Sequence, residues 1–224
     1  MNDIKGIIFD FNGTMIFDGK LQEQAWRQYL GEKTGREISD EEFHRYVHGR
    51  NADATFAYFM RRGLTKNEIG ELAEEKEQIC RRLYLEQPEV FRLADGLPEF
   101  LDLLKTKRVP ITIATASGWG NVRFYFDHLP LDRWFDIKKV AYDDGTVQGK
   151  PEPDLYLKAA RHIGVPPKQC MVFEDAVAGI AAAQRAGAGC IVGVASMLYE
   201  KQLRAAGDLA SIISDYNNAA TLLE

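Results

Sequence analysis

Carboxylate, hydroxyl and lysine side chains in this 224-residue sequence lie next to short apolar segments, in combinations that could carry out phosphoryl transfer. Asp10 directly follows the apolar run Gly6-Ile7-Ile8-Phe9. A carboxylate in this position can act as a nucleophile, because attack through an aspartyl-phosphate divides one difficult displacement into two easier steps. Asp10 could also be a simple turn residue at a strand end, but the other polar segments favour the nucleophile.

Two further acidic residues, Glu174 and Asp175, follow a second apolar run. We expect Asp10, Asp175 and a backbone carbonyl to hold Mg²⁺, with Glu174 reaching the ion directly or through water, because hard cations prefer oxygen ligands. Clustered carboxylates without a cation would instead have raised pKa values. Lys150 would add a positive charge against both Asp10 and the phosphate.

Hydroxyl and amide groups after a third apolar run could bind the phosphate. Thr115 offers its Oγ, and the amides of Ala116 and Ser117 are predicted to lie at a helix start, where amide groups favour anions. Trp119, just beyond them, is a candidate for lining the substrate pocket. The aromatic segment Phe124-Tyr125-Phe126 is interpreted as packing.

Five short apolar segments predict buried strands, and most are continuous runs, which are typical of a parallel sheet covered on both faces. They are Ile4–Asp10, Pro110–Thr115, Ile137–Ala141, Cys170–Glu174 and Cys190–Val194. Helical patterns separate the later strands, so the sequence predicts an α/β fold with a Rossmann-like, doubly wound parallel sheet. Ligands of such sheets bind beyond the carboxyl ends of the strands, where the polar segments lie.

A long segment, from about residue 21 to residue 88, lacks a convincing strand pattern. It carries two capping-box signatures, Ser39-Asp40-Glu41-Glu42 and Thr65-Lys66-Asn67-Glu68, which mark helix N-termini. We therefore predict an α/β core of residues 1–18 and 88–224, interrupted by an all-helical cap of residues 19–87.

The polar segments, in this order and spacing, resemble the four motifs of the haloacid dehalogenase-like superfamily. The matching residues are Asp10-Phe11-Asn12-Gly13-Thr14, Thr115, Gly149-Lys150-Pro151-Glu152-Pro153-Asp154 and Glu174-Asp175. The helical insert resembles the α-helical cap of the branch that contains β-phosphoglucomutase and phosphoglycolate phosphatase. The resemblance implies a cap that closes over the substrate and excludes water.

The same resemblance implies roles for individual residues. Asp10 would be the nucleophile, and Asp175 and the main-chain carbonyl of Asn12 would be Mg²⁺ ligands. Thr115 and Lys150 would handle the phosphate.

Asn12 departs from the pattern of these phosphatases, which typically carry a second aspartate two residues after the nucleophile as general acid and base. An amide cannot take that role, and general acid–base catalysis typically contributes ~10²–10⁴-fold in rate. Three explanations are open: a slower natural enzyme, an engineered replacement, or a site retained for binding after loss of catalysis. We expect an intact fold and metal site, with Asn12 limiting turnover.

Substrate choice is expected to lie in the cap. Gly49-Arg50-Asn51 lies at a break between two predicted helices, so Arg50 could contact the substrate. Mutases of the resembled branch carry a cap-side histidine shortly after the first motif, and the segment Lys20-Leu21-Gln22-Glu23-Gln24 has none. This difference favours hydrolysis over phosphomutase activity.

Composition restricts the partners. A formal charge of −5, without a Lys/Arg cluster, argues against nucleic-acid binding. Three widely spaced cysteines predict free thiols in a reducing compartment, and no apolar run is long enough for a signal peptide or membrane span. We therefore expect a cytoplasmic protein that does not bind membranes and that is a monomer or weak dimer.

These patterns together predict a Mg²⁺-dependent phosphatase that acts on a small phosphorylated metabolite, most simply a sugar phosphate. The alternatives are a β-phosphoglucomutase-like phosphotransferase and a catalytically weakened protein that binds a phosphorylated ligand.

Overall fold

The chain divides into two compact units. The structure is a computed structural model that describes residues 3–47, 52–196 and 200–223. One unit comprises Met1–Phe17 and Arg92–Glu224, and the other comprises Asp18–Phe91. The domain boundaries given above remain a prediction, because compactness does not test whether a unit folds alone.

The described residues of the Asp18–Phe91 unit form helices and contain no strand. The helices are α1 (Gly19–Thr34), α2 (Asp40–Tyr46), α3 (Ala52–Met60) and α4 (Lys66–Glu86). Both predicted N-termini are confirmed: the Ser39 side chain accepts a hydrogen bond from the Glu42 amide, and Thr65 and Glu68 form a complete capping box. These caps satisfy amides that have no partner within the helix.

The other unit is built around a parallel sheet. Its strands are β1 (Gly6–Phe9), β2 (Ile111–Gly118), β3 (Ala141–Asp143), β4 (Cys170–Glu174), β5 (Cys190–Val194) and β6 (Ser211–Ile213). Its α-helices are α5 (Leu97–Thr106), α6 (Trp119–His128), α7 (Asp154–Ile163), α8 (Val177–Arg185) and α9 (Glu200–Ala206). Short 3₁₀ helices cover Leu131–Arg133, Ile137–Lys139, Pro167–Gln169 and Ala219–Leu223.

The strand order is β3-β2-β1-β4-β5-β6, and every pairing is parallel. All residues of β1, β4 and β5 are buried, as expected for strands covered on both faces. Phe9 and Phe173 stack between the two central strands, with ring centroids 5.0 Å apart. The predicted α/β fold with a doubly wound parallel sheet and a helical insert is confirmed.

Two strand predictions need correction. The strand expected at Ile137–Ala141 is wrong, because Ile137–Lys139 is a 3₁₀ helix and β3 begins only at Ala141. The Asp136 side chain accepts a hydrogen bond from the Lys138 amide at 3.0 Å and so closes this turn. The edge strand β6 was not predicted, and its three residues are only half-buried.

None of the described helices combines the length and the apolar character that a membrane crossing requires.

Candidate active site

The sheet order brings three of the polar segments to one edge. β1 lies between β2 and β4, and all three strands run in the same direction. Asp10 therefore follows the central strand, Thr115 lies in the last half of one neighbour, and Glu174 ends the other. Asp10 and Glu174 are only 7% and 1% exposed, so their charges lie in a largely dry environment.

Lys150 connects the acidic residues of two strands. It lies in the loop before α7, and its Nζ donates to Asp10 Oδ1 at 2.5 Å and to Glu174 Oε1 at 2.6 Å. Burial acts to lower the pKa of Lys150, but the negative charges of Asp10 and Glu174 outweigh it and raise that pKa well above its usual value. The ammonium group also lies 5.0 Å from the centroid of the Tyr156 ring. Lys150 is therefore a permanent cation beside the candidate nucleophile.

Glu174 is held by groups from three parts of the unit. Besides Lys150, the Tyr156 hydroxyl donates to Oε1 at 3.0 Å, and the Ala176 amide donates to Oε2 at 2.7 Å. The last contact satisfies an amide at the beginning of α8. Gly179 leaves the space for this carboxylate, because a Cβ there would lie 1.5 Å from Glu174 Oε1.

Asp175 completes the acidic cluster. Its Oδ1 accepts a hydrogen bond from the Thr14 hydroxyl at 3.1 Å. Burial and the negative charges of Glu174 and Asp10 raise the pKa of Asp175 well above its usual value. A bound cation would relieve this repulsion between carboxylates.

The three carboxylates have the spacing of a metal site. One oxygen each from Asp10, Glu174 and Asp175 can be chosen so that all lie within 4.8 Å of one another. A set of oxygen ligands suits a hard divalent cation. The acidic cluster could therefore hold a metal ion, as the sequence predicted.

Asn12 takes part in a polar cluster on the β2 side of the site. Its Oδ1 accepts a hydrogen bond from Ser117 Oγ at 3.1 Å, and the Tyr125 hydroxyl lies 3.3 Å from Oδ1 and 3.2 Å from Nδ2. The Tyr125 ring stacks on Phe11, with centroids 4.2 Å apart. Tyr125 was predicted only to pack in the core, so its polar contact with Asn12 was not expected from the sequence. Its hydroxyl, the one polar group of that aromatic segment, was the available signal.

The predicted helix start at the phosphate cradle is wrong. β2 continues through Gly118, and α6 begins at Trp119, so Ala116 and Ser117 lie on the strand. Gly118 pairs with Asp143 of β3, which explains the longer strand. The Ser117 amide donates to Thr115 Oγ at 3.1 Å within the same segment.

Of the two residues predicted to contact the substrate, Trp119 and Arg50, the structure describes only Trp119. Trp119 is 43% exposed, and its ring lies 5.3 Å from that of Tyr142 in β3. It is therefore accessible to a ligand at this edge of the sheet. Arg50 lies outside the described residues.

Comparisons with known proteins agree with this architecture. A family model described as "Hydrolase: haloacid dehalogenase-like hydrolase" matches residues 4–187. The chain is 31% identical over 182 residues to the fructose-1-phosphate phosphatase YqaB of Escherichia coli, covering 81% of this chain and 92% of that protein. It is 28% identical over 214 residues to the phosphorylated carbohydrates phosphatase of Thermotoga maritima, covering 93% and 94%.

A solved structure gives the same result. The HAD hydrolase, family IA, variant 3, of Entamoeba histolytica superposes with a TM-score of 0.90 at 35% identity, covering 96% of this chain and 94% of that one. The family match spans most of the chain and includes every motif that carried the resemblance. The chain belongs to the haloacid dehalogenase-like hydrolases.

Proposed function

We propose that the protein is a Mg²⁺-dependent phosphatase that hydrolyses a small phosphorylated metabolite, in particular a sugar phosphate, through an aspartyl-phosphate on Asp10. It is a phosphoric monoester hydrolase of the haloacid dehalogenase-like type. The observation that carries the proposal is the buried Asp10 carboxylate, paired with Lys150 Nζ at 2.5 Å within a cluster of three carboxylates. The names of the phosphatase relatives support the substrate class.

In this proposal, Asp10, Asp175 and the main-chain carbonyl of Asn12 would hold the ion, and Glu174 would reach it directly or through water. Mg²⁺ would neutralise phosphate charge that otherwise repels an attacking carboxylate. Lys150 contributes a fixed positive charge against Asp10, since it stays protonated at neutral pH.

The chain's own residues perform the transfer in two steps. A carboxylate oxygen of Asp10 forms a bond to phosphorus, and the bond from phosphorus to the ester oxygen breaks. Water then attacks the phosphorus of the aspartyl-phosphate, which releases inorganic phosphate and regenerates the carboxylate. Lys150, the hydroxyl of Thr115 and the backbone amide of Ala116 stabilise the transferring group in both steps. The Ser117 amide donates to Thr115 Oγ and so orients that hydroxyl.

Two residues are proposed to contact the rest of the substrate. Trp119 offers an exposed ring close to the cradle, and Arg50 offers a guanidinium group for polar substituents. We expect Arg50→Ala to raise KM for a phosphosugar, and unchanged kinetics would remove Arg50 from the site.

Phosphate release from a panel of sugar phosphates, with and without Mg²⁺, tests the proposal. We expect Asp10→Asn to abolish release, whereas Asp132→Asn, a matched change at an exposed position, should leave it unchanged. Release that persists in Asp10→Asn would refute the nucleophile. An isomerised sugar phosphate without free phosphate would indicate a phosphotransferase. Tight Mg²⁺-dependent binding without release over hours would indicate a binding protein.

A further inference from the structure

The amide of Asn12 is held by two hydroxyl groups beside the nucleophile. Ser117 Oγ lies 3.1 Å from Asn12 Oδ1, and the Tyr125 hydroxyl lies within 3.3 Å of both amide heavy atoms. The two hydroxyls are themselves 3.4 Å apart. Asn12, Ser117 and Tyr125 are called the amide clamp below.

The clamp is firmly supported by its surroundings. Tyr125 is only 2% exposed, and its ring stacks on Phe11, the residue between Asp10 and Asn12. A buried, stacked ring cannot rotate its hydroxyl away without losing that contact. The orientation of the Asn12 side chain is therefore fixed from two sides.

A fixed amide can orient a neighbouring group, but it can neither release nor accept a proton at neutral pH. The nearby carboxylates have other tasks in the proposed function, because Asp10 is the nucleophile and Glu174 and Asp175 face the cation. Asn12, which lies two residues after the nucleophile, thus contributes geometry and not proton transfer.

We propose that Ser117 and Tyr125 are positioning residues that hold the Asn12 amide, and that the ester oxygen departs without a proton from the protein. This inference rests on the proposed function and narrows its substrate class. The enzyme would prefer monoesters with weakly basic leaving groups, such as aryl or anomeric phosphates, over simple alkyl phosphates.

The steps balance without an enzymic acid. Asp10 forms the bond to phosphorus, and the electron pair of the broken P–O bond leaves with the ester oxygen, which then takes a proton from water. In the second step, water attacks phosphorus, the bond from phosphorus to the Asp10 oxygen breaks with its electron pair returning to the carboxylate, and the proton of the attacking water passes to solvent. The products are the alcohol or phenol and inorganic phosphate.

The test compares 4-nitrophenyl, phenyl and benzyl phosphates in the full-length wild-type protein and in Asn12→Asp. An added carboxyl group supplies the missing acid, so kcat/KM for benzyl phosphate should rise by roughly 10²–10⁴-fold. The value for 4-nitrophenyl phosphate should change by less than about threefold, because that leaving group gains little from a proton. Equal gains on both esters, or no gain on benzyl phosphate, would overturn the inference.

Tyr125→Phe removes the hydroxyl and keeps the stacked ring. A positioning role predicts that kcat falls by the same factor for all three esters, roughly three- to tenfold for one lost hydrogen bond. If Tyr125 were itself the acid, benzyl phosphate would lose far more than 4-nitrophenyl phosphate, and the inference would be wrong. Tyr29→Phe is the matched control, since it also removes a buried hydroxyl, here one bonded to Glu75, and should change neither rate nor selectivity.

The two proposals fail in different ways. Asp10→Asn should abolish release from all three esters, and activity retained in that variant would refute the proposed function. A wild-type enzyme that needs Asp10 but hydrolyses benzyl and 4-nitrophenyl phosphates at similar rates would refute only the inference about the clamp. Should Tyr125→Phe fail to fold, the selectivity of Asn12→Asp still tests it.

Discussion

Gly179→Ala should disrupt the acidic cluster from a position that carries no functional group. Gly179 lies in α8, and an added Cβ would fall 1.5 Å from Glu174 Oε1 and 2.0 Å from its Cδ. The end of a glutamate side chain often moves at little cost. Here it cannot, because Glu174 is 1% exposed and its carboxylate accepts hydrogen bonds from Lys150, Tyr156 and Ala176.

The magnitude follows from those contacts. Breaking a buried ion pair costs roughly 3–5 kcal/mol, and alanine in a helix recovers about 0.5–1 kcal/mol relative to glycine. We expect Gly179→Ala to lower the free energy of unfolding by about 2–4 kcal/mol. For a chain of this size, that change lowers Tm by roughly 5–15 °C. The rate of phosphate release should fall at least about tenfold, because Lys150 loses one of its two carboxylate partners.

Gly70→Ala provides the matched control. Gly70 also lies in a helix, but a Cβ there would meet nothing within 4 Å, so only the helix propensity changes. In this variant the free energy of unfolding should rise by up to about 1 kcal/mol, and the rate of phosphate release should not change. Thermal unfolding followed by circular dichroism, together with phosphate release, measures both variants. The reasoning is refuted if Gly179→Ala matches Gly70→Ala in stability and activity.

Three other substitutions test separate parts of the structure. Lys150→Met should lower the free energy of unfolding by roughly 3–5 kcal/mol at pH 7, since it leaves buried carboxylates without their cation, and added Mg²⁺ should restore part of it in urea titrations. Gly13→Ala should weaken Mg²⁺-dependent phosphate release at least about tenfold in a metal titration, because its Cβ would lie 2.1 Å from Asp175 Oδ2 at a φ of +78°. Burial raises the pKa of the Cys80 thiol from 9.0 to about 12, because the folded protein disfavours the thiolate. The free energy of unfolding therefore does not depend on this thiol below pH 9, and it falls by about 1.4 kcal/mol per pH unit as the pH rises from 9 towards 12. Urea unfolding between pH 9 and 11 should therefore show a steeper loss in the wild-type protein than in Cys80→Ala, and parallel slopes would contradict the burial argument.

The sheet could be predicted wherever burial on both faces produced a continuous apolar run. β1, β4 and β5 come from such segments, whereas β2 alternates isoleucine with threonine and is buried only in its first half. β6 could not be found in this way, because an edge strand of three half-buried residues has no distinctive pattern. The start of β3 could not be placed from the sequence because Ile137–Lys139 forms a 3₁₀ helix. The side chain of Asp136 caps this helix by accepting a hydrogen bond from the Lys138 amide.

Part of the candidate site could likewise be predicted from the sequence, and part could not. Asp10 and Glu174 could be placed together from the sequence because parallel strands end at one edge of a sheet. The contact between Asn12 and Tyr125 spans 113 positions and depends on how α6 packs against the sheet. No local pattern encodes such a packing angle, so the hydroxyl was indistinguishable from those of other buried tyrosines.

Two glycines show why the carboxylates have fixed positions. Gly13 leaves space for Asp175, and Gly179 leaves space for Glu174, so each acidic side chain fills a volume that a Cβ would otherwise occupy. A carboxylate that merely favoured the N-terminus of α8 would need no such space, because exposed charges gain that stabilisation without burial. Glu174 does accept a hydrogen bond from the Ala176 amide, but it is also buried beside Lys150 and Tyr156. Burying like charges together is costly unless a cation offsets their repulsion. The two glycines therefore show that packing fixes Glu174 and Asp175 inside the cluster, where the carboxylates could hold a cation in addition to their contacts with Lys150.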